Sequence, residues 1–278
     1  MFRVGRSNCG APLTEELFRS YREGGIRFME LSMRIEGYDA LDYAWVRELS
    51  QAHGVTLWSL HLPFAPFRIL DPSRPDLAKD TVAYFRELIQ KGVAIGIDKF
   101  VVHASGEPIP TEERSLRMAC AKESLRALAE FAGERGAVIA VEDLPRTCLG
   151  RDAEEMLELL DAHDALRVCF DTNHLLTQSP VEFIEQVGEK IITTHVSDYD
   201  FVDERHWLPG EGLVDWTALV QALQNVNYQG VWMYELGLRC PKTLVRERDL
   251  EHADFLRNAT EIFENRPLTS LGSPLPKE

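Results

Sequence analysis

Acidic residues and histidines recur directly after short apolar runs in this chain. Glu30 follows IRFM, His61 ends WSLH, His103 ends FVVH, and Glu142 ends IAVE. Asp171 and His174 lie in VCFDTNH, His195 and Asp198 in ITTHVSD, and Glu235 in WMYELG. Such groups are costly in apolar surroundings unless they are paired, solvated or metal-bound. Carboxylates mixed with imidazoles make an O/N donor set suited to Mn²⁺, Zn²⁺, Co²⁺ or Mg²⁺ rather than to a soft ion. Glu142, Asp171, His195 and Glu235, on four consecutive runs, can each offer one ligand. Asp198, three residues past His195, is the candidate to orient that imidazole.

A second cluster is the segment DERHWLPGEGLVDW, residues 203–216. Gly210 and Gly212 allow a tight backbone turn and Pro209 stiffens its entry. Arg205 and His206 are candidates to touch substrate or metal, and Asp215 is a candidate helix N-cap before Trp216. Trp207, Trp58 and Phe64 offer flat apolar faces that could wall a sugar pocket.

The elements that must position these residues alternate regularly. Eight β-branched or aromatic runs read as strands: 2–6, 26–32, 55–62, 99–103, 137–143, 166–171, 191–197 and 230–236. Helical segments are expected over 14–23, 39–53, 75–95, 111–135, 152–162, 180–188, 216–225 and 243–265. Thr14, Asp39 and Thr111 stand as N-caps, and Pro75 and Pro180 suit first turns. Strands separated by helices imply parallel βα units, and eight such units in 278 residues match one (β/α)₈ TIM barrel. The glycine-rich first turn of a doubly wound sheet is missing. One barrel domain is expected over residues 1–265, with a loose tail over 266–278. The active site of such a barrel sits at the C-terminal ends of its strands, where the polar residues stand.

Composition sets outer bounds. Thirty Lys and Arg against 45 Asp and Glu give a formal charge of −15. That balance argues against nucleic-acid and membrane partners, which need a basic footprint. Five scattered cysteines without a Cys-x-x-Cys read as reduced thiols of a cytoplasmic protein. No signal peptide is evident, and no apolar run reaches the roughly 20 residues of a membrane span.

The ordered series Leu60-His61-Leu62-Pro63, Val102-His103, Val141-Glu142-Asp143, Phe170-Asp171-Thr172-Asn173-His174, Thr194-His195-Val196-Ser197-Asp198, Pro209-Gly210-Glu211-Gly212 with Asp215-Trp216, and Tyr234-Glu235 resembles the xylose isomerase-like TIM-barrel family. That family holds sugar and sugar phosphate isomerases and epimerases, and also endonuclease IV. The resemblance covers roughly residues 55–240. It implies one divalent cation, Mn²⁺ first with Zn²⁺, Co²⁺ or Mg²⁺ as alternatives, on Glu142, Asp171, His195 and Glu235. Glu142 and Glu235 would then move protons on opposite faces of a ketose, through an enediolate, with His174 on a substrate oxygen. His61, His103, Arg205, His206 and Trp207 complete the expected substrate contacts.

Two positions depart from the epimerase pattern: Asp143 replaces a usual Asn, and His206 stands where an Arg is common. The endonuclease IV branch implies a different outcome, three zincs on His61, His103, Glu142, Asp171, His174, His195, Glu204, His206 and Glu235 for hydrolysis at abasic DNA. An inosose dehydratase-like lyase and a non-catalytic sugar-binding barrel are further alternatives. The expected partner is a small sugar or sugar phosphate, and homo-oligomer formation is left open.

Overall fold

Residues 2–64 and 69–275 are described by a computed structural model. Eight parallel strands alternate with helices along the chain: β1 (Arg3–Ser7), β2 (Phe28–Leu31), β3 (Thr56–His61), β4 (Lys99–His103), β5 (Val138–Glu142), β6 (Arg167–Asp171), β7 (Ile191–His195) and β8 (Val231–Tyr234). Each strand pairs with its sequence neighbour, and β1 also pairs with β8. The circle closes through Val196 beside Tyr234, where Val196 N–H donates to the Met233 carbonyl at 2.8 Å. The fold is the expected (β/α)₈ barrel.

Strand side chains alternate between two environments, as a period of two requires. Phe100, Val102, Ile139, Val141, Val168 and Phe170 join the large core between sheet and helices. Val101, Ala140 and Cys169, with Ile192, form a separate small cluster inside the barrel. Two residues further along β4, β5 and β6, the same inward face ends in His103, Glu142 and Asp171. The polar strand ends therefore converge on one mouth.

The helices are α1 (Glu15–Glu23), α2 (Ile35–Ala40), α3 (Tyr43–His53), α4 (Ala78–Ala94), α5 (Arg114–Gly133), α6 (Ala153–Leu160), α7 (Pro180–Val187), α8 (Trp216–Asn225) and α9 (His252–Phe263). Thr14, Asp152 and Asp215 cap their helices by accepting from the backbone N–H three residues on. The helix expected over 39–53 is two helices. Asp42 rather than Asp39 caps the second, its carboxylate accepting from Trp45 N–H at 3.0 Å.

The long helix expected over 243–265 is also divided. Leu244–Arg246 forms β9, and α9 starts only at His252, behind a capping box of Glu251 and Asp254. Within the described part of the expected tail, β10 (Gly272–Pro274) pairs antiparallel with β9. Thr269 also donates twice to the Glu261 carboxylate. Glu211 and Arg246, both fully buried, tie β9 to the loop after β7. Among the described residues, no helix is long and apolar enough to cross a membrane.

Candidate active site

Glu142 lies at the centre of the mouth. Its Oε2 is 3.0 Å from His61 Nε2 and 3.2 Å from His103 Nε2, and its Oε1 is 3.0 Å from His195 Nδ1. Around the same His195 nitrogen stand Glu235 Oε2 at 3.2 Å and Asp171 Oδ2 at 3.8 Å. One ligating atom from each of Glu142, Asp171, His195 and Glu235 falls within 4.8 Å of all the others, which is the reach of a single ion. Among the described residues four smaller groups meet the same limit, including His61, His103 and Glu142, and His174, Glu204 and His206.

Three of the imidazoles are oriented by hydrogen bonds to backbone carbonyls. His61 Nδ1–H donates to the Leu62 carbonyl at 2.8 Å, His174 Nδ1–H to that of Asp143 at 2.7 Å, and His206 Nδ1–H to that of Glu235 at 3.2 Å. His195 is turned the other way, with Nε2 against the Glu30 carboxylate. Each ring has one nitrogen committed as a donor, which leaves the other as a lone pair directed at acids. A lone pair facing a carboxylate needs a proton or a cation between them.

Charge in this buried site is correspondingly displaced. Burial pushes the Asp171 carboxyl well above its ordinary value, reinforced by Glu235 and Glu142. Burial likewise raises Asp143, with Asp171 adding to it. Burial would also raise Glu142, but the imidazoles of His195 and His103 outweigh it and hold that carboxyl well below the usual range. For His61 burial acts downward, and Glu142 overcomes it to push the imidazole to about 9. Asp171 Oδ2 and Asp143 Oδ2 are buried with no hydrogen-bond partner. An orphaned buried carboxylate oxygen beside three further donors fits a divalent cation.

The sequence-expected residues separate into two sets. Glu142, Asp171, His195, Glu235, His61, His103 and His174 come together at the mouth. His206 joins them at the rim, 3.9 Å from Glu204 Oε2. Phe64 also stays at the rim, 39% exposed and stacked 4.6 Å from the His103 ring.

Arg205 and Trp207 stand apart from this cluster. Arg205 pairs with Asp200 at 3.2 Å, and Trp207 is buried with its Nε1–H donating to Thr243 Oγ1. Both line a separate cavity of about 570 Å³ with Leu213, Lys242 and Leu275. Trp207 pairs with Asp198 through both main-chain hydrogen bonds, and Arg205 N–H donates to Asn173 Oδ1 at 2.9 Å. Trp58 sits at the opposite, N-terminal end of the barrel. There it donates to Thr193 Oγ1 under the cations of Lys99 and Arg3.

Asp198 does not orient His195. Its carboxylate accepts from the N–H groups of Tyr199, Gly210 and Val214 and from Trp216 Nε1–H, folding the loop after β7. Sequence reasoning placed Glu30 at a strand end but gave it no role, although the rule that selected the other acids applies to it. It also missed Asp143 as a support, where Oδ1 accepts Asp171 N–H at 2.7 Å. Arg146 was missed entirely. It joins the loops after β4, β5 and β7 by pairing with Glu107, Asp203 and Glu204.

Known proteins resemble this chain to different extents. An uncharacterized protein of Methanocaldococcus jannaschii is 29% identical over 178 residues, 60% of this chain and 61% of that one. An inosose isomerase of Bacillus velezensis is 26% identical over 172 residues, 57% of this chain and 60% of its own. The matches thus span about three fifths of these relatives' lengths. Among solved structures, a D-tagatose 3-epimerase-like protein superposes with a TM-score of 0.81 at 22% identity, covering 95% of this chain and 97% of that one. That likeness is one of fold. The family described as xylose isomerase-like TIM barrel matches residues 18–259, and the chain belongs to it.

Proposed function

We propose that the protein is a divalent-metal-dependent sugar isomerase or epimerase. The observation that carries this reading is the convergence of Glu142, Asp171, His195 and Glu235 within single-ion reach, with the outer nitrogen of His195 already engaged. The inosose isomerase and the D-tagatose 3-epimerase-like protein among its relatives support the substrate class. Mn²⁺ is the preferred ion, with Zn²⁺, Co²⁺ and Mg²⁺ as alternatives.

A divalent cation bound there supplies Lewis-acid stabilisation of the negative charge that develops on a ketose when its α-proton leaves. The chain's own groups do the rest. Glu142 and Glu235 are the carboxylates that remove and return the proton, a contribution of about 10²–10⁴-fold for a positioned acid–base group. Return to the opposite face of the same carbon gives epimerisation, and return to the neighbouring carbon gives isomerisation. His174 is held by its bond to the Asp143 carbonyl and presents Nε2 to a substrate oxygen. His61, His103 and Phe64 form the wall opposite. A metal-supplemented screen of ketoses, ketose phosphates and inososes for deuterium uptake from solvent tests class and substrate together. No uptake into any of them would reject this reading.

A second reading is favoured by one observation, the several adjoining donor groups. They are also what a three-zinc phosphodiesterase of the endonuclease IV kind would use. The −15 charge opposes it, because duplex binding draws on several Lys and Arg contacts to phosphates. Three metals per chain by elemental analysis, with cleavage of an abasic duplex, would select it. One metal and no cleavage would retire it.

A further inference from the structure

We infer that Glu30 is the positioning residue of the metal centre, setting which nitrogen of His195 faces the ion. The inference rests on the metal-binding reading above and deepens it. Glu30 is fully buried at the inner end of β2, and both its oxygens face His195 Nε2, at 3.0 and 3.1 Å. A carboxylate can only accept here, so Nε2 carries a hydrogen, and Nδ1 is the nitrogen that can turn a lone pair to a cation held among the acids. That nitrogen is the one within 3.0 Å of Glu142, 3.2 Å of Glu235 and 3.8 Å of Asp171.

Three further features separate this role from that of an incidental buried acid. Ser59 Oγ donates to Glu30 Oε2 at 2.8 Å, fixing the carboxylate from β3. A register shift between Met29 and Glu30 brings Glu30 level with Ser59 rather than Trp58. Finally, none of the donor groups within coordinating reach among the described residues includes Glu30. It touches the centre only through His195. A carboxylate on the far nitrogen of a ligating histidine fixes the ring's tautomer and orientation and strengthens its basicity, and removing one lowers metal affinity about 10–100-fold.

The test compares wild type with Glu30→Gln and uses Mn²⁺ affinity by titration calorimetry on refolding-competent, chelator-stripped full chain. Tenfold or greater weakening with an intact thermal transition is expected. A second measurement needs no variant. In the Zn²⁺-loaded wild type, ¹⁵N NMR of His195 is expected to show a directly bonded proton on Nε2 and none on Nδ1.

Unchanged Mn²⁺ affinity in Glu30→Gln would overturn the proposal while leaving the metal centre standing. A His195 that ligates through Nε2 would overturn it even if the variant fails to fold. If wild type binds neither Mn²⁺ nor Zn²⁺, the metal reading itself falls and this inference falls with it.

Discussion

His61 Nε2 lies 3.0 Å from Glu142 Oε2 while His61 Nδ1 is already donating to the Leu62 carbonyl. The main chain of the same residue is held as well, because the Tyr38 hydroxyl donates to the His61 carbonyl. Glu142 is thus approached by a histidine that is not free to turn away. With His103 and His195 on its other sides, Glu142 is the junction of the whole mouth.

Replacing that junction should stop chemistry without unfolding the barrel. Glu142→Gln and Glu235→Gln are each expected to lower deuterium incorporation into a bound ketose by about 10²–10⁴-fold, the contribution of an acid–base group. Mass-spectrometric exchange assays check this. Wild-type exchange rates in both variants would remove these glutamates from the proton-transfer role.

Stripping the metal should be visible as lost stability. A ligand that binds only the folded state at about 100 times its Kd adds roughly 2.7 kcal/mol. Chelation is therefore expected to lower the thermal midpoint by several degrees, and Mn²⁺ to restore it. A midpoint indifferent to both would argue against a resident ion.

Asp198→Ala is expected to destabilise the fold by about 3 kcal/mol while changing metal affinity far less than Glu30→Gln does. The reason is the set of buried donors it would orphan, namely Gly210, Val214 and Tyr199 N–H and Trp216 Nε1–H. Gly212→Ala should disrupt the same loop, because an added Cβ would overlap Asp198 Oδ1 and the Tyr199 carbonyl. Urea denaturation with parallel Mn²⁺ titration measures both effects.

His252 makes stability depend on acid. Burial, and to a smaller extent the Arg6 guanidinium, push its imidazole down to about 4 in the folded protein. The unfolded chain binds that proton near the ordinary 6.5, so acid favours unfolding. The contribution is intact above pH 6.5 and is lost progressively as pH falls toward 4, reaching about 3 kcal/mol. His252→Gln should flatten the curve over that window. The difference between wild type and variant is the quantity to measure, since the acids at the barrel mouth are common to both. A difference that does not vary between pH 6.5 and 4 would contradict this assignment.

Local sequence was informative wherever a local rule governs. The parallel barrel followed from eight apolar runs separated by helical segments. Most of the site followed from polar residues at the ends of those runs, because alternation in a strand leaves Glu142 and Asp171 on the inward face. The break before Asp42, the start of α9 at His252 and the β9–β10 hairpin were not legible. Capping and pairing partners compete with helical periodicity there, and Arg246 is buried only once Glu211 arrives from another loop.

What the sequence by itself determined is a barrel and which acids and histidines stand at the ends of its second to eighth strands. Only the tertiary structure decided how those residues are divided. Asp198 sits three residues from His195, yet its carboxylate is consumed by the loop's own N–H groups. Glu30, 165 residues away in the chain, reaches the imidazole instead. Closure of the barrel brings β2 within hydrogen-bond distance of the β7 histidine. Hydrogen bonds depend on direction and on a few tenths of an ångström, quantities that sequence separation does not carry.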